Sequence, residues 1–206
     1  LKADAPSVFF EILSEMGKNY YWFEELENLR RVEQNREHHK EGDAWKHTMM
    51  VLDEAAKRRE NVNNPLGFML SALCHDFGKA ICTEEIDGII HSYRHEELGL
   101  PLVEDFISRL TSEVELKKYV LNMVELHMMP NIMANMQSSR KKSNRLFDKS
   151  LVPEDLVELS ICDGLGKIPA IFDSENFLKE RLAHFKITMG KPYVMGRDLI
   201  EAGADA

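Results

Sequence analysis

His75 and Asp76 stand side by side at the end of an apolar segment, in Leu73-Cys74-His75-Asp76-Phe77-Gly78-Lys79. Imidazole nitrogen and carboxylate oxygen are donors for a divalent metal ion. A His-Asp pair alone is unspecific. It gains meaning only if more donors fall on other helices of the same core. The chain offers them: His47, His127 and Asp163 each fall on an apolar helical face, and His95 opens a further helix. Asp76 is the most telling, because it lies near Met69, Ala72 and Leu73 on the most apolar helix. A lone buried carboxylate is costly unless a cation or hydrogen bonds compensate. A single inward-facing histidine is more often a hydrogen-bonded core residue than a ligand. The joint occurrence on several helices favours a metal site, which bundles build from side chains on facing helices.

The elements that must position these residues are helical. Asn64 and Pro65 start the central helix through cap and N1 positions, and Gly78 ends it. The helix after Trp45 places His47 beside Met50 and Val51. Leu116, Val120, Met123 and His127 share one face, as do Leu156, Leu159, Ser160 and Asp163. Phe9, Ile12, Leu13 and Met16 repeat as an amphipathic helix that Gly17 caps. Residues 80–94 are irregular, with an Asp87-Gly88 turn suited to a very short hairpin. Pro101 predicts a kink or a late helix start within 95–110. Residues 30–43 and 131–150 read as loops. The fold expected is an all-α, single irregular helical bundle. A helical leader spans 1–40, the main domain 41–187 and a tail helix 188–206.

With 206 residues, 44% hydrophobic and 30% charged, the chain can bury a substantial core. A net charge of −9 argues against broad nucleic-acid binding, DNA included. The cluster Arg140, Lys141, Lys142 and Arg145 reads as a charged surface loop, ahead of the alternative of a contact with substrate phosphate or RNA backbone. No apolar run is long enough for a membrane span. Three cysteines without metal-type spacing suggest a reduced, cytoplasmic setting. Leu1 in place of Met suggests an excised part of a longer chain.

The order His47, His75-Asp76, Asp163 resembles the H…HD…D signature of HD-domain metal-dependent phosphohydrolases. Residues 41–48, 73–79 and 95–99 resemble the HD domain of bacterial CCA-adding tRNA nucleotidyltransferases and poly(A) polymerase-like proteins. Asp4 to Glu11 resembles the segment before that domain, and Met195 to Ile200 a motif near the end of such enzymes. The nucleotidyltransferase palm, with its paired carboxylates after a glycine-serine turn, is absent, so nucleotide addition by this chain alone is not expected.

The resemblance implies that His47, His75, Asp76 and Asp163 hold one metal. His95 and His127 match the positions that bind a second, with Asp76 between the two. The donors suit one or two divalent ions of Fe, Mn, Co, Ni or Zn better than Mg. Such an ion makes a water nucleophilic near neutral pH. Lys79 is a candidate catalytic cation beside Asp76, or else a solvated lysine at a helix end; Arg94 is a second candidate for substrate phosphate. His91 reads as a surface or substrate-side residue, and His38, His39 and His184 as solvated. The activity implied is hydrolysis of nucleotides or RNA termini, of the 2′,3′-cyclic phosphodiesterase, 2′-nucleotidase and phosphatase type. Two alternatives stand beside it. One is a non-catalytic module that positions tRNA for a CCA-adding enzyme. The other is a stand-alone hydrolase of a signalling nucleotide.

Overall fold

A computed structural model describes residues 1–18, 22–35, 37, 39–171 and 173–189. His38, the Met195–Ile200 motif and the expected tail helix from residue 190 onward lie outside the described residues. The elements run α1 (Ser7–Glu15), α2 (Glu24–Glu27), α3 (Ala44–Arg58), α4 (Pro65–Cys74), α5 (Lys79–Cys82), β1 (Glu84–Ile86) and β2 (Ile89–His91). They continue with α6 (His95–Leu98), α7 (Leu100–Leu110), α8 (Val114–Leu126), α9 (Met128–Asn135), α10 (Arg140–Lys149), α11 (Pro153–Leu165) and α12 (Ser174–Met189). The all-α expectation holds, with one two-stranded hairpin among the described residues.

The central helix is α4. Asn64 caps it by accepting the Gly67 N–H at 3.0 Å, and Pro65 occupies its first turn, where a missing N–H costs nothing. Phe68 to Cys74 are all buried, so α4 must be enclosed on every side. Helices α3, α8 and α11 enclose it. Asp43 caps α3 by accepting from the Lys46 backbone N–H at 2.9 Å. The hairpin forms where Asp87 and Gly88 both take positive φ, 53° and 78°, the turn that matches strand twist. Its register pairs Glu84 with His91 and Ile86 with Ile89. Pro101 does mark a late start: α6 ends at Leu98, and α7 begins anew with Pro101 in its first turn.

Two expectations need correction. Residues 131–150 are not a loop but most of α9 and α10. Pro130, expected after a helix end, lies in the first turn of α9, and the polar surface of α10 hides a buried stripe of Ser143, Leu146 and Phe147. Helix α1 does not bury its apolar stripe; Phe9, Ile12 and Met16 are more than half exposed. Ser7 fixes its rotation instead, donating N–H and Oγ–H to Asp53 at 3.0 and 2.7 Å, which turns Phe10 inward.

Candidate metal centre

Each expected donor is buried and reaches one centre. His47 projects from the first turn of α3. His75 and Asp76 follow α4, His95 opens α6, His127 joins α8 to α9, and Asp163 sits near the end of α11. Gly78 allows the chain to fold back tightly there. A Cβ on Gly78 would lie 2.0 Å from the His95 carbonyl oxygen, so only glycine lets the His75-Asp76 turn and His95 meet.

The outer nitrogen of each imidazole faces a carbonyl. His75 Nδ1 meets Ala72 O at 2.8 Å, His95 Nδ1 meets Ser92 O at 2.9 Å and His127 Nδ1 meets Val124 O at 2.7 Å. His47 Nδ1 meets Gly166 O at 3.1 Å. A carbonyl only accepts, so Nδ1 carries the proton and Nε2 is left with a lone pair. Three of the four bonds reach back three residues, and two of those carbonyls, of Ala72 and Val124, lie in last helical turns, where acceptors want donors.

The four Nε2 lone pairs converge. His47 Nε2 and His75 Nε2 are 3.3 Å apart, and so are His95 Nε2 and His127 Nε2. Neutral imidazoles in this tautomer cannot hydrogen-bond through those atoms; a cation between them satisfies both. Asp163 Oδ1 stands 3.0 Å from His47 Nε2. Asp76 stands between the pairs. Its Oδ2 is 3.3 Å from His75 Nε2 and 3.7 Å from His47 Nε2, and its Oδ1 is 3.1 Å from His95 Nε2 and 3.9 Å from His127 Nε2. Oδ2 is buried and makes no well-aligned hydrogen bond; its closest cation is the Lys79 ammonium at 2.7 Å. The donors thus form two triads, His47/His75/Asp163 and Asp76/His95/His127. The set of buried imidazoles and carboxylates, with imidazole nitrogens aimed inward, fits divalent transition-metal ions.

The electrostatics agree. Burial opposes the charge on Asp76, yet His75 and Lys79 outweigh it and hold the carboxyl well below the usual range. Burial is likewise outweighed at Asp163 by Lys167 and His47. At His47 burial opposes the proton, but Asp163 and Glu41 overcome it and raise the pKa. His127, buried and facing His95 and His75, is pushed down to about 3 and stays neutral.

Lys79 reaches Asp76 Oδ2 at 2.7 Å and donates to Gln34 Oε1 at 2.7 Å; it is mostly buried, not the solvated helix-end lysine. It lines a cavity of about 380 Å³ into which Asp76, Asp163 and His95 open. Arg94 is not brought to this cavity. It is exposed and its guanidinium binds Glu97 at 2.5 Å. Lys167 lines the cavity instead, 3.3 Å from Asp163 Oδ2. His184 sits half-buried on α12 and lines no part of the cavity.

Five groups around the centre were not foreseen from the sequence: Gln34, already described, and Glu41, His39, Asn131 and Lys167. Glu41 Oε1 lies 2.6 Å from His39 Nδ1 and 3.4 Å from His47 Nδ1, and its Oε2 accepts the Ile168 N–H at 2.9 Å. His39 is therefore not a solvated histidine; it packs edge-on against His47 at 5.0 Å and lines the cavity. Asn131 donates to Asp163 Oδ2 at 3.1 Å. Only Lys167 left a signal, four residues after Asp163 on a helical pattern.

No family model matches the chain. It is similar to the Multifunctional CCA protein of Actinobacillus pleuropneumoniae serotype 5b (strain L20), 33% identical over 124 residues, which are 60% of this chain and 30% of the relative. The Multifunctional CCA protein of Pasteurella multocida (strain Pm70) is 38% identical over 96 residues, 46% of this chain and 22% of the relative. That of Shewanella denitrificans (strain OS217 / ATCC BAA-1090 / DSM 15013) is 30% identical over 149 residues, 72% of this chain and 34% of the relative. The chain is thus related to the Multifunctional CCA proteins, of whose length the matches span about a third or less. Among the described residues no helix is long and apolar enough to cross a membrane.

Proposed function

We propose that the chain is an HD-type, metal-dependent phosphoric ester hydrolase acting on nucleotides or RNA termini. The activity class is that of 2′,3′-cyclic phosphodiesterase, 2′-nucleotidase and phosphatase. One observation carries the reading: two pairs of imidazole Nε2 atoms, each pair 3.3 Å apart, flank one buried carboxylate. His47, His75 and Asp163 would hold one divalent ion, His95 and His127 a second, with Asp76 shared. Bound ions supply Lewis acidity and a more acidic water. The chain's own residues do the rest. The Nδ1–H contacts to carbonyls lock the imidazoles in the donor tautomer. Lys79 and Lys167 bring positive charge to the cavity wall, where it offsets phosphoryl charge. Gln34 holds the Lys79 ammonium in place.

The relatives' shared name favours a second reading, a tRNA-positioning module without chemistry of its own. The experiment that separates the two is metal analysis of the purified protein, followed by assay of 2′,3′-cyclic AMP hydrolysis with Mn, Co or Ni. The hydrolase reading expects bound metal and turnover, both lost in Asp76→Ala. A metal-free protein without turnover but with salt-sensitive tRNA binding would overturn it in favour of the second.

A further inference from the structure

The one hairpin among the described residues stands at the mouth of the metal cavity, where Ile90, His91 and Ser92 form part of the wall. It is tied to the centre. Ser92 Oγ meets Thr83 Oγ1 at 2.7 Å across the hairpin, and the Ser92 carbonyl accepts the Nδ1–H of His95 at 2.9 Å. The residues on either side of Ser92 are aromatic. His91 and Tyr93 stack face to face, with 4.7 Å between ring centroids and 12° between ring planes. Tyr93 is 61% exposed, and no hydrolytic role assigned above uses either ring.

His91 lines the cavity and Tyr93, exposed, stacks on it without lining the cavity, so the pair is a flat π surface beside the mouth. A phosphate ester needs no such surface for its phosphate, which the buried donors and the two lysines serve. A nucleobase does need one, and every base has a π face. We propose that the His91–Tyr93 stack is a nucleobase platform, which holds the base of a nucleotide, or of the terminal nucleoside of an RNA, while its phosphate enters the cavity. The inference rests on the hydrolase reading for the phosphate end and adds the residues that hold the base. Because Ser92 fixes both the platform and His95, base and metal centre keep a constant register. Stacking tolerates any base, so the platform separates nucleosides from plain phosphate esters rather than one base from another.

Two measurements on the full chain test this. The first titrates adenosine, which has no phosphate to cleave, into the protein with and without added Zn, and follows the His91 and Tyr93 ring signals by NMR. Both should shift saturably with adenosine and not with ribose. The second compares KM for adenosine 2′-phosphate and glycerol 2-phosphate. His91→Ala and Tyr93→Ala should raise KM for the nucleotide about 10-fold, from the size of a single stacking contact. They should leave glycerol 2-phosphate unchanged, and Tyr93→Phe should behave as wild type. Ring signals unmoved by adenosine, or KM changed alike for both esters, would overturn the platform; the latter would mean the rings only support Ser92 and His95. If the metal-loaded wild type cleaves neither ester, the hydrolase reading falls, and the adenosine titration still decides the platform.

Discussion

Helix α11 buries a carboxylate near each end, and the two are treated in opposite ways. Asp155, in the first turn, is fully buried and saturated by neutral donors. It accepts from the Asn63 N–H at 2.8 Å, Asn63 Nδ2 at 2.9 Å, the Asn64 N–H at 3.1 Å and the Tyr119 hydroxyl at 2.6 Å. The helix dipole favours its charge there as well. Asp163, in the last turn, sits at the end where the dipole opposes a negative charge. It faces His47 Nε2, Asn131 and Lys167, with Asp76 and three more imidazoles beyond. One carboxylate is complete without a ligand and ties the loop before α4 to α8 and α11. The other belongs to a set of imidazoles and carboxylates that could hold a metal ion. Burial of charge alone does not mark a functional site; the donors left over do.

The strongest way to break this comparison is to remove each carboxylate. Asp163→Ala should abolish metal-dependent hydrolysis, measured by turnover, while circular dichroism shows a folded protein. Asp155→Ala should do the reverse. It strands two backbone N–H groups and a hydroxyl, at a cost of about 2–5 kcal/mol by chemical denaturation, with metal stoichiometry per folded chain unchanged. If Asp155→Ala lost metal without losing stability, the two sites would not be distinct. Glu41→Ala probes the support around His47. Loss of a carboxylate behind a ligand should weaken metal affinity about 10–100-fold by competition with a chelator.

The ends of α11 should also respond to opposite ends of the pH scale. Burial, then the hydrogen bond to Asp155, raises the Tyr119 pKa. The native state then holds that proton more tightly than the unfolded chain. The stability it contributes is whole below about pH 10, the value of a free tyrosine, and is lost as pH rises above it. Metal loading at the other end must displace protons from imidazoles, so it weakens as pH falls. Burial opposes the proton on His47, but Asp163 and Glu41 outweigh it, so His47 gives up its proton less readily than a free imidazole. Urea titrations near pH 9 and 11, and chelator competition near pH 8 and 6, check the two signs.

Much of this was legible in the sequence because the candidate donors lie on helices or at their ends. Periodicity aims His47, His127 and Asp163 inward, and the apolar run of α4 carries His75-Asp76 with it. The supporting groups were not legible. Glu41 and His39 come from an irregular polar stretch, and only tertiary packing decides that they fold under His47. Arg94 failed as a cavity cation for a local reason: its φ of 58° turns it out to Glu97. Polar surface composition hid α10, whose buried stripe is narrow, and Ser7 bonding to Asp53 outweighed the apolar stripe in orienting α1.

The facing imidazoles are proposed to enclose divalent ions. The most direct test is elemental analysis of the chain after incubation with Mn, Co, Ni, Zn or Fe(II) and exhaustive dialysis, alongside Asp76→Ala. One or two ions per wild-type chain, and their loss in the variant, are the expected result. Wild-type protein that retains no metal under any of these conditions would contradict it.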